Sequence, residues 1–304
     1  MRVNNTEVED ATLELLPFYY AKLVITALSP EWALTAARAI NHFHFSGIVE
    51  KLELNQEINE IDYFLSPRIG IDQFLEHSDT PDYRPGVSIL IGAYDLETLK
   101  SEVLKRIYAL NCPTVSIFDG FYNESMSDET FSVENLIQII SGNTAIKAKM
   151  RDLIILSIPT TEGTPCRIQP AFKIKKGFMG ANLLICGVNH KDTLKATMNA
   201  VDAIQAFKNV FCPYPAGINR LGTKFGSKEY YPTLIDKVTE TKVPRGVKCI
   251  YEIEINGIEI EQIKQALKAG IEMATQVPGI KKIMSRGGVG KLSGKKIRIQ
   301  EIFE

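Results

Sequence analysis

The chain has 304 residues, with 35 basic and 36 acidic side chains and a formal net charge of −1. This length suits about two domains, and the near-neutral charge argues against a nucleic-acid-binding surface. No apolar run reaches the roughly 18 residues that a membrane span needs, and the acidic N-terminal stretch does not have the pattern of a signal peptide, so we expect a cytoplasmic protein.

The first half of the chain contains two segments with the same order: an extended apolar run, a helical run and a second extended run. The first segment has a helix that Ser29 caps, with Trp32 and Ile40 in its apolar stripe, and it ends in a predicted strand within residues 45–54. The second has a helix that Asp95 caps, between the apolar runs GVSILIGAY and TVSIF. Both segments predict a β-α-β unit.

The second half repeats this order twice. In the third segment the helical run has Leu194, Met198 and Ile204 at positions predicted to face the core. The fourth segment opens on VKCIYEIEING, residues 247–257, in which apolar side chains recur at every second position. This period is typical of a strand with one buried face, and Glu252 lies on the other face.

Two β-α-β units in series make the split motif of ferredoxin-like folds. The four units therefore predict an α+β fold with two ferredoxin-like lobes, residues 1–160 and 161–304, and a cleft between the lobes. Helices cover only one face of such a sheet, so Glu252 is predicted on the helix-free face, where it can line the cleft. Insertions at residues 50–62 and 123–158 interrupt this plan, and the sequence does not predict their placement.

Several common kinds of site are excluded because the sequence lacks their motifs. The stretch SRGGVGKLSGKK, residues 285–296, lacks the Walker spacing and is predicted as a flexible turn. No G-x-G-x-x-G follows a predicted strand, and no G-x-S-x-G is present. His42 and His44 lack a third ligand, and the five cysteines form no C-x-x-C pair, so we predict no metal site and buried free thiols.

One loop has a composition that suits an anionic, planar ligand. The stretch PYPAGINRLGTKFGSKEYY, residues 213–231, is rich in Gly and Pro and carries Arg220, Lys224 and Lys228 among four aromatic residues. A solvated surface loop is the alternative, and composition does not decide between them. Two further predicted loops, SPRIGI and TPDYRPGV, lead into a strand, and Arg84 in the second is a polar candidate.

The sequence resembles the formylmethanofuran–tetrahydromethanopterin formyltransferase family in these and other stretches. The similarity is most specific from residue 247 to the C-terminus, and RPGVSILIG, LVITALSPEWALTAA, AVDAI, PYPAGI and TKFGSKEY also match in order. The resemblance implies transfer of a formyl group from the amine of methanofuran to N5 of tetrahydromethanopterin, with no bound metal or prosthetic group. It makes Glu252, in the YEI motif, the catalytic residue, and Glu254 is expected at the cleft rim or on the surface.

The loop compositions and this resemblance together give a set of expected substrate contacts. The expected substrate-binding residues are Ser66, Pro67, Arg84, Tyr214, Pro215, Gly217, Lys224, Ser227, Lys228 and Tyr230. A carboxyl in a partly dry cleft has a raised pKa and can move protons between the two substrate nitrogens, which is the role expected of Glu252.

The sequence departs from the family pattern in loops expected to touch substrate. The family's Cys-Pro-Ala-Glu-Ala-Gly-Ile loop reads SPRIGI, the small residues after PYPAGI are replaced by NRL, residues 219–221, and GNYGGKLG appears as SRGGVGKLSG. A divergent paralogue that is inactive or uses another pterin or amine is therefore one alternative. A non-catalytic pterin- or amine-binding subunit of a formyltransferase/hydrolase complex is another. We also expect a homo-oligomer, dimer or tetramer.

Overall fold

The computed structural model describes residues 1–41, 65–110, 112–124, 129–219, 228–287 and 294–304. These residues form two compact units. Unit 1 holds residues 1–17, residue 65 and the described residues from 177 to 304, and unit 2 holds the described residues within 18–41 and 66–176. The predicted division after residue 160 differs from these bounds, because two long strands, Thr12–Thr26 and Ala171–Gly187, each contribute to both units.

Strands and helices are numbered in chain order. The strands are β1 (Arg2–Val3), β2 (Thr6–Val8), β3 (Thr12–Thr26), β4 (Arg68–Leu75), β5 (Gly86–Ala93), β6 (Ser116–Asp119), β7 (Glu129–Ser132), β8 (Ile146–Met150), β9 (Leu153–Ile158), β10 (Cys166–Ile168), β11 (Ala171–Gly187), β12 (Val210–Phe211), β13 (Cys249–Gly257), β14 (Ile280–Met284) and β15 (Lys295–Arg298). The helices are α1 (Pro30–Asn41), α2 (Leu96–Ala109), α3 (Glu134–Ile140), α4 (His190–Gln205) and α5 (Ile260–Ala274).

Unit 2 is built on a sheet with the order β4-β5-β3-β6, which continues through β10, β9 and β8. Along the chain the elements run β3, α1, β4, β5, α2, β6, so the sheet has the split β-α-β motif. The helices α1 and α2 bury their apolar faces in one core with this sheet. This core includes Ile25, Ile40, Ile91 and Val103, all with no more than 1% exposure.

Unit 1 repeats the motif. Its sheet has the order β12-β13-β11-β14, with antiparallel pairing between each of these neighbours, and β2 and β1 follow β14. The elements run β11, α4, β12, β13, α5, β14 along the chain. The predicted α+β class and the ferredoxin-like order are therefore confirmed in both units, whereas the cleft between the lobes stays a prediction.

One predicted loop is a strand. Residues 66–71 were predicted as a loop, but Arg68–Leu75 forms β4 and pairs with β5 along its length, with one register shift. Pro67 and Gly70 suggested a loop locally, and pairing with a neighbouring strand outweighs that tendency. The strand predicted within residues 45–54 and the insertion at residues 50–62 lie outside the described residues. In the linker at residues 123–158, the structure places β7, β8, β9 and α3.

The helix caps are confirmed. Oδ1 of Asp95 accepts the N–H of Thr98 at 2.8 Å, and Oγ of Ser29 accepts the N–H of Trp32 at 3.2 Å. Each bond pairs a helix N–H that has no partner within the helix.

Part of the predicted apolar stripes is wrong. Trp32 and Leu194 are each 39% exposed and Met198 is 49% exposed. The buried face of α4 contains Ile204, as predicted, together with small residues such as Ala196 and Ala200, which let α4 and α5 approach closely. The two helices are close enough at Gly270 of α5 that a Cβ there would lie 2.7 Å from Cδ1 of Ile204.

The five cysteines are free, as predicted, but only Cys186, Cys212 and Cys249 are buried, whereas Cys112 and Cys166 are partly buried. Burial raises the pKa of the Cys186 thiol to about 12, so this residue behaves as a small apolar side chain. Within the described residues, no helix has the length and apolar character that crossing a membrane requires.

Candidate active site

Glu252 lies on the helix-free face of the unit 1 sheet. It belongs to β13, which pairs with β11 on one side and β12 on the other. Ile253 and Ile255 pack into the core that α4 and α5 cover, so Glu252 points to the opposite side. Its side chain is fully buried, with 0% exposure. The predicted alternation along this strand and the placement of Glu252 on the helix-free face are confirmed.

Three N–H donors from two residues hold the Glu252 carboxylate. Arg286 donates from Nε to Oε1 at 2.6 Å, and its Nη2 forms an ion pair with the same oxygen. Asn219 donates from Nδ2 to Oε2 at 2.6 Å. Hydrogen bonds to an ionised group are shorter and stronger than neutral ones. The geometry therefore suits an ionised carboxylate that accepts at both oxygens.

Backbone pairing and one buried amide fix the two donor residues. Asn219 forms an isolated antiparallel bridge with Glu252, and its N–H donates to the carbonyl oxygen of Glu252 at 2.8 Å. Arg286 follows β14, and its backbone N–H donates to Oδ1 of Asn182 at 2.8 Å. The hydroxyl of Ser285 donates to the same oxygen at 3.0 Å. Asn182, in β11, thus holds the segment after β14 beside Glu252.

Glu254 is a second buried carboxylate on the same face, with 6% exposure. Its Oε2 accepts the hydroxyl of Tyr214 at 3.1 Å, and its Oε1 accepts Nδ2 of Asn256 at 3.1 Å. Oδ1 of Asn256 accepts the N–H of Gly180 at 2.9 Å. Glu254 is therefore not a surface charge, one of the two predicted placements, since Tyr214 in the loop after β12 lies against it.

Two opposing effects act on the ionisation of Glu252. Burial raises the pKa of its carboxyl, and the negative charge of Glu254 acts in the same direction. The charge of Arg286 and the hydrogen bonds from Arg286 and Asn219 lower the pKa without cancelling the effect of burial. A raised pKa brings the carboxyl closer to the pH at which it exchanges protons efficiently, which suits a general acid–base group.

Two of the predicted substrate-binding residues, Tyr214 and Tyr230, lie on or beside this face. Tyr214 joins it through Glu254. Tyr230 is buried and packs with Leu184, the residue of β11 that pairs with Glu252. Lys228 is exposed at the start of the short turn Lys228–Tyr230.

The remaining predicted residues of this loop are placed differently or lie outside the described residues. Pro215 is exposed. Gly217 faces helix α4, since a Cβ there would lie 2.6 Å from Cγ1 of Val201. Lys224 and Ser227, like Arg220, lie outside the described residues. The substrate-binding roles assigned to this loop stay predictions.

Unit 2 holds the other three predicted substrate-binding residues. Ser66 and Pro67 are buried at the start of β4, and the carbonyl of Ser66 accepts Nη1 of Arg68 at 2.8 Å. The guanidinium of Arg84 is hydrogen-bonded within the protein. It donates to Asp82, Thr26, Thr114 and Ser116. These four bonds use four of the five guanidinium N–H groups, so Arg84 has little capacity left for an anionic substrate.

Sequence reasoning missed Asn219 and Arg286. Both lie in stretches that depart from the family pattern, and the segment of Arg286 was predicted as a flexible turn. Residues 285–287 of that segment are instead held by Asn182, while residues 288–293 lie outside the described part of the chain. The available signal was a charged residue two positions after an apolar strand, but only the order β13-β11-β14 brings it to Glu252.

In the described part of the chain, no three His, Cys, Asp or Glu side chains come together as a metal ion would require. His42 and His44 lie outside those residues.

Comparison with known proteins identifies the family. Residues 1–160 match the family model described as formylmethanofuran–tetrahydromethanopterin formyltransferase, and residues 166–302 match the model of its proximal lobe. Similar proteins include the formylmethanofuran–tetrahydromethanopterin formyltransferases of Methanosarcina acetivorans, 33% identical, and Methanopyrus kandleri, 32% identical. Each comparison covers the whole of both chains.

Solved structures agree on the fold. The formyltransferase of Methanosarcina barkeri superposes with a TM-score of 0.85 at 29% identity, over the whole of both chains. A chain of the formyltransferase/hydrolase complex FhcABCD of Methylorubrum extorquens, solved with methylofuran, also has a TM-score of 0.85. Its identity is 24%, over 100% of this chain and 99% of that one, so this second likeness concerns the fold alone. The resemblance seen in the sequence is confirmed, and the chain belongs to the formylmethanofuran–tetrahydromethanopterin formyltransferase family.

Proposed function

We propose that the chain reversibly transfers a formyl group from formylmethanofuran to N5 of tetrahydromethanopterin, with Glu252 as the proton carrier. The observation that carries the proposal is a buried carboxylate at the centre of β13, on the helix-free face, in a member of this family. Burial raises the pKa of the Glu252 carboxyl, which favours proton exchange under working conditions.

The reaction needs two proton movements. N5 of the pterin attacks the formyl carbon, and a tetrahedral intermediate forms with negative charge on the formyl oxygen. N5 loses a proton, and the methanofuran nitrogen gains one as its bond to the formyl carbon breaks. Glu252 accepts the first proton and returns it to the leaving nitrogen, so the carboxylate is regenerated. Because Glu252 has no exposed surface, a substrate nitrogen reaches it only after neighbouring side chains move aside.

A binding subunit without catalytic activity is the second candidate. The observation that favours it is the occupation of both Glu252 oxygens by Arg286 and Asn219. In that case the chain binds a pterin or an amine carrier within a formyltransferase/hydrolase complex. Assembly into a homo-oligomer, dimer or tetramer, and a cytoplasmic location belong to both proposals.

A turnover assay with purified chain, formylmethanofuran and tetrahydromethanopterin distinguishes the candidates. We expect formyl-tetrahydromethanopterin to appear in proportion to the amount of chain. Calorimetric titration with each carrier alone is the companion measurement. Binding of a carrier without any turnover supports the binding subunit, and the absence of both binding and turnover contradicts both proposals.

A further inference from the structure

We infer that Arg286 and Asn219 are positioning residues, which hold the Glu252 carboxylate and keep it ionised between turnovers. The role of this ionisation in catalysis rests on the proposed function. The ionisation of Glu252 itself is a property of the protein without substrate, so it has a test of its own.

Both oxygens of the Glu252 carboxylate have lone pairs that accept hydrogen bonds. Each oxygen offers two of them. Arg286 approaches Oε1 with both Nε and Nη2, and Asn219 donates to Oε2. Among the described residues, no fourth donor reaches either oxygen. Each oxygen of Glu252 therefore has a donor in place that stabilises the ionised form.

The two donors are held independently of the Glu252 side chain. Asn219 is placed by its backbone bridge to residue 252, and this bridge does not depend on either side chain. Arg286 is placed by the bond from its backbone N–H to Asn182, whose side chain is 5% exposed. A donor that is already in position loses little freedom when the carboxylate ionises, which is how a protein favours one protonation state.

The charges around Glu252 make Arg286 the residue that decides its ionisation. Arg286, after β14, is the cation with the largest effect on Glu252, and Glu254, on β13 itself, is the negative charge that faces it. β11 contributes the neutral Asn182, and the loop after β12 contributes the neutral Asn219. Without the charge of Arg286, both burial and Glu254 favour the protonated form of Glu252.

The experiment is an infrared pH titration of the substrate-free protein. The carbonyl band of a protonated carboxyl is assigned to Glu252 by its loss in Glu252→Gln. In Arg286→Met the band should persist to a pH higher by at least about one unit, since a neighbouring opposite charge usually lowers a carboxyl pKa by 1–3 units. Arg286→Lys, which restores the charge, should reverse at least part of this shift. The acid limb of the kcat–pH profile should move in the same direction in Arg286→Met.

Arg298→Met is the matched control, because it removes an equal charge from an exposed ion pair with Asp10 in the same unit. We expect it to leave the Glu252 titration unchanged. If Arg286→Met does not fold, Asn219→Ala tests the same point and should give a smaller shift in the same direction. An unchanged titration in the folded variants overturns the inference. Full turnover by Glu252→Gln overturns the proposed function instead, and leaves the infrared result to decide the role of Arg286.

Discussion

The buried Asp119 should make the stability of the protein fall as the pH rises from about 4 to about 6. Asp119 ends β6 in unit 2 and is 1% exposed. Burial raises the pKa of its carboxyl from 3.8 to about 6, and the N–H of Phe121 and the charges of Lys173 and Lys175 oppose this without cancelling it. Below pH 4 the carboxyl is protonated in the folded and the unfolded chain alike, so it adds no pH dependence there.

The sign and size of the effect follow from this shift. Between about pH 4 and 6 the unfolded chain releases the proton while the folded chain keeps it, so the free energy of unfolding decreases as the pH rises. A shift of about 2 pH units corresponds to about 3 kcal/mol, at most, between the two ends of this range. Asp119→Asn has the same shape without the ionisable proton, so it should remove this decrease.

Urea unfolding of the wild type and Asp119→Asn at several pH values between 4 and 8 measures the difference. The stability of the variant relative to the wild type should rise by up to about 3 kcal/mol from pH 4 to pH 7. Asp152→Asn is the control, because Asp152 is exposed in the same unit. Parallel pH curves for the wild type and Asp119→Asn would refute the reasoning.

Three further predictions concern the helices and one turn. Asp95→Ala removes the cap of α2 and should lower the free energy of unfolding by about 1 kcal/mol in urea titrations, and an unchanged midpoint contradicts the capping role. Ile204→Ala, at a position with 0% exposure, should cost about 2–5 kcal/mol, whereas Leu194→Ala on the same helix should cost less than about 1 kcal/mol. Equal costs for these two would contradict the placement of α4. Gly217→Ala should lower the midpoint of thermal unfolding, since φ is +71° there and a Cβ would lie 2.6 Å from Val201; a wild-type midpoint would show that the loop accommodates the methyl group.

Local sequence patterns were sufficient to predict most of the fold. The alternation in β13 predicted which side of the strand Glu252 occupies, and the caps at Ser29 and Asp95 predicted where two helices begin. These features depend on the period of the backbone and on hydrogen bonds between residues three positions apart. For that reason one sequence is sufficient to predict them.

The errors came from contacts between residues distant in sequence. Residues 68–71 are strand because β5 pairs with them, and Leu194 is exposed because α5 packs on the alanine side of α4. Glu254 is buried because a loop about 40 residues earlier brings Tyr214 to it. No local pattern contains this information.

The same limit explains what was missed in the candidate site. Glu252 was identified by a family motif within its own strand, whereas Arg286 reaches it from a segment 34 residues later in the chain. Asn219 reaches it from a position 33 residues earlier. The effect of Arg286 and Asn219 on the ionisation of Glu252 depends on strand order and burial. The sequence predicted the order of the strands and helices along the chain, but not which side chains meet at Glu252.

The measurement that tests the central claim most directly is the single-turnover rate of formyl transfer by Glu252→Gln. Glutamine keeps the length of the side chain and removes the exchangeable proton, so the folded variant should still bind both carriers. Its rate should fall by about 10²–10⁴-fold, the usual contribution of a general acid–base group. Glu254→Gln, which removes an equal charge two residues along the same strand, should lose far less. A wild-type rate in Glu252→Gln, or an equal loss in both variants, would contradict the claim that Glu252 carries the proton.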